Sequence, residues 1–442
     1  MTPTRRRRRT PLLLAALGTL LAHAAVAAGG GAGHVDLAPV LEGLVVVLLA
    51  ARLGGALFEL LHLPAVLGEL VAGVALGNLG LFGVHGLEPL FRSETLSVLG
   101  EVGVLFLLFQ VGLESDLGKM AAVGVPAMVV AMLGVVAPMA LGYGVSSWFH
   151  PGENALMHAF VGATLAATSV GITARVLGDL GRVDSLEGRI ILGAAVIDDV
   201  LGLIVLAVMQ GLVTASNLGT ALDAPALAWV IAKAVGFLVA AIVVGRWLSR
   251  TTFRLASRLP GQGLLLALSL AFCFGLSLLA MRAGLAAIVG AFAAGLVLDD
   301  VHFEDLRARD AHRRGLHELL DPLASFLVPV FFVLMGTGVD LSVFADPAVL
   351  GFAGVLTLAA ILGKQICSLG ANVPGVDRLA VGLGMIPRGE VGLIFASIGS
   401  RLMLGGEPLV NAEVYSAVVF MVAVTTLVTP PLLVWRLRRP AA

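Results

Sequence analysis

The sequence predicts an all-α polytopic membrane protein. Of its 442 residues, 58% are hydrophobic and only 13% are charged, where a soluble domain carries about 25% charge. Mean hydropathy is +1.00. Apolar runs of the length a bilayer demands, about 20 residues, recur along almost the whole chain. The net charge of −1 favours no charged partner, and membrane lipids rather than nucleic acid are the expected surroundings.

The elements follow in order. Residues 1–28 combine an arginine run, an apolar stretch from Leu12 to Leu21 and small residues up to Ala28. That order reads as a signal peptide, with an uncleaved extra helix as the alternative. Thirteen apolar segments follow: 37–58, 63–82, 95–113, 120–148, 155–178, 188–213, 222–249, 262–281, 283–299, 322–342, 346–370, 379–402 and 409–435. An odd number of spans entered from outside ends inside. With that orientation about seventeen Lys and Arg face the cytoplasm and about three, Arg92, Arg282 and Arg401, face out, as the positive-inside rule requires. The expectation is a mature N-terminus outside and a cytoplasmic C-terminus.

Between the spans, Arg246, Arg250, Arg254 and Arg258 read as anchoring at a helix end, with some contact to anionic lipid. Asp299 to Asp321, with His302, His312 and His317, reads as a solvated linker. No soluble module follows the last span, so any nucleotide-binding regulator is expected on another chain. Cys273 and Cys367 lie in apolar segments without metal-ligand spacing and read as packing residues.

Two short matches point to an inverted repeat. Gly112-Leu113-Glu114 ends the third segment as Gly338-Val339-Asp340 ends the tenth; Val170-Gly171-Ile172 in the fifth matches Val391-Gly392-Leu393 in the twelfth. Both pairs lie seven segments apart, and an odd offset reverses orientation. Two inverted six-helix repeats with the seventh segment as connector are expected.

The chemistry concentrates in Ile191–Leu206, an otherwise apolar or glycine run that carries Asp198 and Asp199. Near the bilayer centre each acid costs about 2.5–3.5 kcal/mol on an insertion scale, so the pair needs partners. Lys364 in the eleventh segment is a charge only beside an acid. Adjacent helical residues stand about 100° apart, so the economical arrangement gives Asp198 to Lys364 and leaves Asp199 for a cation. Oxygens of Thr168 and Ser169, water and the freed carbonyls of a broken helix complete a hard-cation shell. The fifth segment gathers Thr164, Thr168, Ser169, Gly171 and Thr173, while Pro387, Arg388, Gly389 and Glu390 interrupt the twelfth. Proline removes a donor and glycine loosens the backbone, so the twelfth breaks there. Arg388 would then sit near freed carbonyls and Glu390 near freed amides. Interrupted helices at corresponding repeat positions mark a transporter's binding site. Glu59, Glu69, Asn78 and Glu101 read as interfacial caps or helix contacts, Gln110 as lining an approach path, and Lys233 has no evident partner.

Taken together, FLLFQVGLESD, ATSVGITARVL, GAAVIDDVLGLIVLA, the FFVLMGTGVD run, Lys364 and IPRGEVGLIFA resemble monovalent cation:proton antiporters of the NapA type, within the NhaA-like superfamily. The resemblance covers residues 37–438. It implies an NhaA-like fold with discontinuous crossing helices, and a homodimer built from dimerisation helices (37–113 and 262–342), core helices (120–213 and 346–435) and a linker helix (222–249). It also implies that Asp199 is the cation- and proton-binding carboxylate, Asp198 the partner of Lys364, and Thr168 and Ser169 the unwound stretch beside the site. Asp-Asp with lysine resembles electrogenic members.

The expected function is Na+/H+ antiport across the plasma membrane without a cofactor, with K+/H+ antiport as the alternative. An aspartyl intramembrane protease needs its two acids on separate helices. A cation channel needs neither inverted repeats nor broken helices. Both readings therefore fall behind the carrier, which is not an enzyme.

Overall fold

The computed structural model describes residues 37–61, 63–84, 88–91, 93–114, 124–219, 224–256, 263–298 and 315–438. The expected signal peptide, and His302 and His312 of the linker, lie outside them. The described chain is helical apart from short connections and one two-stranded hairpin, Met403–Leu404 against Glu407–Pro408. Nine described helices are long and apolar enough to cross a membrane, and four apolar helices are shorter.

The first half comprises α1 (Leu37–Leu60), α2 (Ala65–Gly77), α3 (Glu94–Glu114), α4 (Gly124–Phe149), α5 (Ala155–Ala166), α6 (Val170–Asp179) and α7 (Leu186–Asn217). The second half comprises α8 (Ala224–Ala256), α9 (Leu264–Arg282), α10 (Ala287–Val297), α11 (Leu316–Thr337), α12 (Pro347–Ile366), α13 (Arg378–Gly384), α14 (Gly389–Arg401) and α15 (Ala412–Leu437). Most helices fall on one apolar segment each. The fifth and twelfth segments each divide into two helices, α5–α6 and α13–α14. The tenth segment begins earlier than its apolar run suggests, because Leu316, Glu318 and Leu320 already belong to α11 and Leu316 and Leu320 are buried.

Local chemistry sets several helix starts. Asn154, Ser185, Asp346 and Asn411 accept hydrogen bonds from Leu156, Gly188, Ala348 and Val414 amides at 2.9, 3.0, 2.7 and 2.9 Å, capping α5, α7, α12 and α15. Pro347 follows at the first position of α12, where its missing donor is harmless.

Packing divides the helices into two groups. α3 lies against α10 and α11, α11 against α1 and α2, and α10 against α8 and α9. In the second group α4 packs on α5, α7 and α12, while α15 packs on α6, α12, α13 and α14. Contacts of α7 with α8 and of α14 with α2 join the groups. Without a hydrophobic drive between helices in lipid, close approach by small residues supplies the packing energy. A methyl on Gly112 or Gly295 would strike the other's backbone, and Gly363 lies directly on Pro138. The second of these contacts presses α12 onto α4 one residue before Lys364.

Candidate cation site

The site forms where the two broken segments cross. α5 stops at Ala166, residues 167–169 are non-helical, and α6 starts at Val170; α13 stops at Gly384, and residues 385–388 precede α14. Pro387 makes the second break legible, since the residue before a proline avoids helical geometry. Gly389 then takes a positive φ of 43°, a backbone region open to glycine and costly for other residues. The two breaks meet: the Ser169 amide donates to Pro387 O at 2.7 Å, and the Thr173 hydroxyl donates to Gly384 O at 2.7 Å.

Breaking a helix in a membrane frees carbonyls that need donors. Here two cations serve them. Lys364 Nζ donates to Ala166 O, the last residue of α5, at 2.6 Å. Arg388 donates from Nη1 to Ile386 O at 2.5 Å and from Nη2 to Ala360 O of α12 at 2.8 Å. Both side chains are completely buried. A positive charge at the C-terminal end of each half-helix also opposes that end's partial negative charge.

Lys364 has a second engagement. Its Nζ lies 3.3 Å from Asp198 Oδ1 and 3.2 Å from Oδ2, with neither side chain exposed to any extent. Gly134 of α4 covers the pair closely: a Cβ there would sit 3.5 Å from Nζ and 3.8 Å from Asp198 Oδ1. Asp199, the next residue of α7, is 9% exposed against 1% for Asp198. α7 packs against both α5 and α6, and Lys364 joins Asp198 to the end of α5.

The remaining residues named from sequence also lie at the crossing. Thr168 and Ser169 occupy the break itself and are buried. Thr168 Oγ1 makes no hydrogen bond among the described residues, an orphaned oxygen inside the bundle. Pro387 and Gly389 are buried, and a Cβ on Gly389 would fall 2.6 Å from Ser169 Oγ. Gly171 belongs to the first turn of α6; its surroundings and the Glu390 side chain lie outside the described residues.

Thr173, one of the polar residues gathered in the fifth segment, holds the crossing through Gly384. Sequence reasoning passed over two contributors: Gly134 covers the ion pair, and Thr426 of α15 accepts from the Gly389 amide at 3.3 Å. Each looks ordinary in an apolar helix, and only the helix partners reveal its place. Away from the crossing, Gln110 Nε2 donates to Asp321 Oδ1 at 3.3 Å. Lys233 Nζ lies against the turn at Gly284, where α9 ends. Asn78 ties the end of α2 to Val339 O and the Leu341 amide at 2.7 and 2.8 Å.

This arrangement of buried acids, a buried lysine and two crossing half-helix pairs lies within residues 45–438, which match the family described as "Sodium/hydrogen exchanger, transmembrane". The chain belongs to the sodium/hydrogen exchanger family. Among the family's relatives, the high-affinity Na+/H+ antiporter NhaS3 of Synechocystis sp. is 42% identical over 433 residues, covering 89% of this chain and 89% of that protein. The Na+/H+ antiporter of Enterococcus hirae is 34% identical, covering 88% of this chain and 96% of its own. The Na+/H+-K+ antiporter GerN of Bacillus cereus is 34% identical, covering 88% and 94%. In structure the chain is similar to the sodium proton antiporter MjNhaP1 of Methanocaldococcus jannaschii, with a TM-score of 0.69, 18% identity, and coverage of 91% of this chain and 99% of that one. The fold of this sodium/hydrogen exchanger is therefore the NhaA-like fold of multi-pass antiporters.

Proposed function

We propose that this exchanger is an electrogenic secondary antiporter, taking up H+ to expel Na+ across the plasma membrane. The observation that carries the proposal is the buried pairing of Asp198 with Lys364, 3.2 Å apart, with a second acid, Asp199, next to Asp198 on the same helix; it supports a division of labour in which Asp198 holds the lysine and Asp199 carries the ions. Asp199 would hold a cation or a proton but not both. Competition of that kind couples the two fluxes without any covalent step, provided the carboxylate titrates near working pH.

The cation is substrate, and the donors at the crossing suit it. Hard cations take oxygen ligands, and the Asp199 carboxylate, the orphaned Thr168 hydroxyl and Ser169 offer oxygens in one buried region. In the electrogenic form Lys364 releases its proton or its hold on Asp198 when the cation arrives. Lys364 also bonds to Ala166 O, so a change at the lysine reaches the end of α5.

The packing of the helices into two groups supports separate roles for them. α4–α7 and α12–α15 would form the moving core, and α1–α3 with α9–α11 the dimerisation domain of a homodimer, linked by α8. Alternating access would be a rigid-body shift of the first against the second. The asymmetry of the basic residues supports a cytoplasmic C-terminus. K+ is a second cargo, favoured by GerN, whose name includes K+ beside Na+.

The test is transport in proteoliposomes with each cation in turn. The intact protein should show Na+-driven proton flux that responds to membrane potential. Asp199→Asn should remove that flux while the protein stays folded and monodisperse. Sustained exchange by the variant would overturn the assignment of Asp199, and cation flux without proton movement would indicate a channel.

A further inference from the structure

We propose that Thr426 is a positioning residue for cation binding, its hydroxyl fixing the N-terminus of α14 where the two broken helices cross. The inference rests on the antiport reading and adds a residue from a third segment to it.

The first amides of any helix lack partners within that helix. In α14 the preceding residue is Arg388, whose side chain caps nothing because its guanidinium is turned to Ile386 O and Ala360 O. The Gly389 amide instead donates to Thr426 Oγ1 at 3.3 Å. The cap thus comes from α15, and Thr426 is only 3% exposed. Its neighbours behave differently: the Thr425 and Thr429 hydroxyls donate to carbonyls of their own helix, Met421 O at 2.9 Å and Thr425 O at 2.6 Å. That is the usual fate of threonine within a helix.

What Thr426 holds bears on the site directly. Gly389 lies against Ser169 with no room for a side chain between them, and the Ser169 amide is tied to Pro387 O. Thr426, Gly389 and Ser169 line one cavity of about 230 Å³, which continues to Glu59 and Pro64 at the α1–α2 turn. That cavity is therefore lined by the N-terminus of a half-helix, with its partial positive charge, and by the unwound stretch of the other. Without the hydroxyl, the first turn of α14 is free to fray, and Ser169 loses the surface that fixes it.

Thr426→Val keeps the shape and removes the hydrogen bond. In proteoliposomes the Na+ concentration for half-maximal exchange should rise about five- to tenfold, the worth of one hydrogen bond, with the maximal rate within about twofold of wild type. Thr426→Ser should restore it. The same displacement should appear when Na+ protection against thermal unfolding is titrated on purified protein, which needs no transport. If Thr426→Val folds poorly, Thr426→Ala makes the same comparison. Wild-type half-saturation in the hydroxyl-free variants, a loss confined to the maximal rate, or a wild type that Na+ does not protect would each overturn the role. A wild type that is protected by Na+ yet moves no protons would sink the antiport reading alone, because the binding titration still reads Thr426.

Discussion

At the residue scale the most consequential contact is the one between Lys364 and Asp198. Taking two charges out of water is expensive, and the attraction between them offsets that cost only when geometry and further hydrogen bonds are good. Here the extra bond is to Ala166 O at 2.6 Å. Removing one partner strands the other, which typically costs about 3–5 kcal/mol; replacing both with neutral groups of similar shape need not. Lys364→Met should therefore lower the thermal unfolding midpoint sharply. The double variant Lys364→Met with Asp198→Asn should recover much of the loss, since it leaves no lone charge. Equal destabilisation by the single and double variants would mean that the lysine's packing, rather than its charge, is what matters. Either variant should also change the response of exchange to membrane potential, measured with voltage-sensitive dye in the same vesicles.

At the element scale the broken helices set the geometry, and Gly389 is the point at which they can least tolerate change. Its φ of 43° disfavours any side chain, and a Cβ would lie 2.6 Å from both Cβ and Oγ of Ser169. Gly389→Ala should separate the crossing and reduce exchange by up to about a hundredfold, the cost that a misplacement of about 1 Å can carry. Gly354→Ala, on α12 where an added methyl would meet nothing within 4 Å, is the control that should be milder if the crossing point rather than flexibility in general is at stake. Exchange rates normalised to folded protein decide between them. Much of this was legible beforehand. Pro387 and Gly389 announce a break because their backbone chemistry is local, and Asp198 with Lys364 announces a pair because each is intolerable alone in an apolar run. The bond from Ser169 to Pro387 was not legible, nor the cap from Thr426. Both depend on which helices face each other across more than two hundred or some forty positions of chain. A threonine in an apolar helix carries no mark of the partner it will meet.

At the scale of the whole molecule, the contacts between the two helix groups are where a rigid-body shift must show itself. α14 begins at the crossing and ends at Arg401; its 13 residues span about 20 Å at 1.5 Å each. At that far end Arg401 pairs with Glu101 of α3 and donates to Ser97 Oγ at 3.2 Å. A cavity of about 820 Å³ surrounds this link, lined by residues of both groups including Asn78, Asp340, Asn411 and Tyr415. Arg401 and Glu101 are each about half exposed, so the pair contributes little to stability and breaks readily. It would nonetheless report on the position of a moving core, because α14 runs from this pair to the crossing. If the core moves against α1–α3 and α9–α11 during each cycle, joining the two groups here must stop transport. A Glu101→Cys/Arg401→Cys variant should exchange Na+ for H+ before treatment and fall silent once a short bismaleimide links the cysteines. The native Cys273 and Cys367 are buried and should remain unmodified, which a single-cysteine control verifies. Linked protein that exchanges at the unlinked rate would place the moving boundary elsewhere. Arrest with retained Na+ protection against unfolding would show that binding survives while the change of access does not.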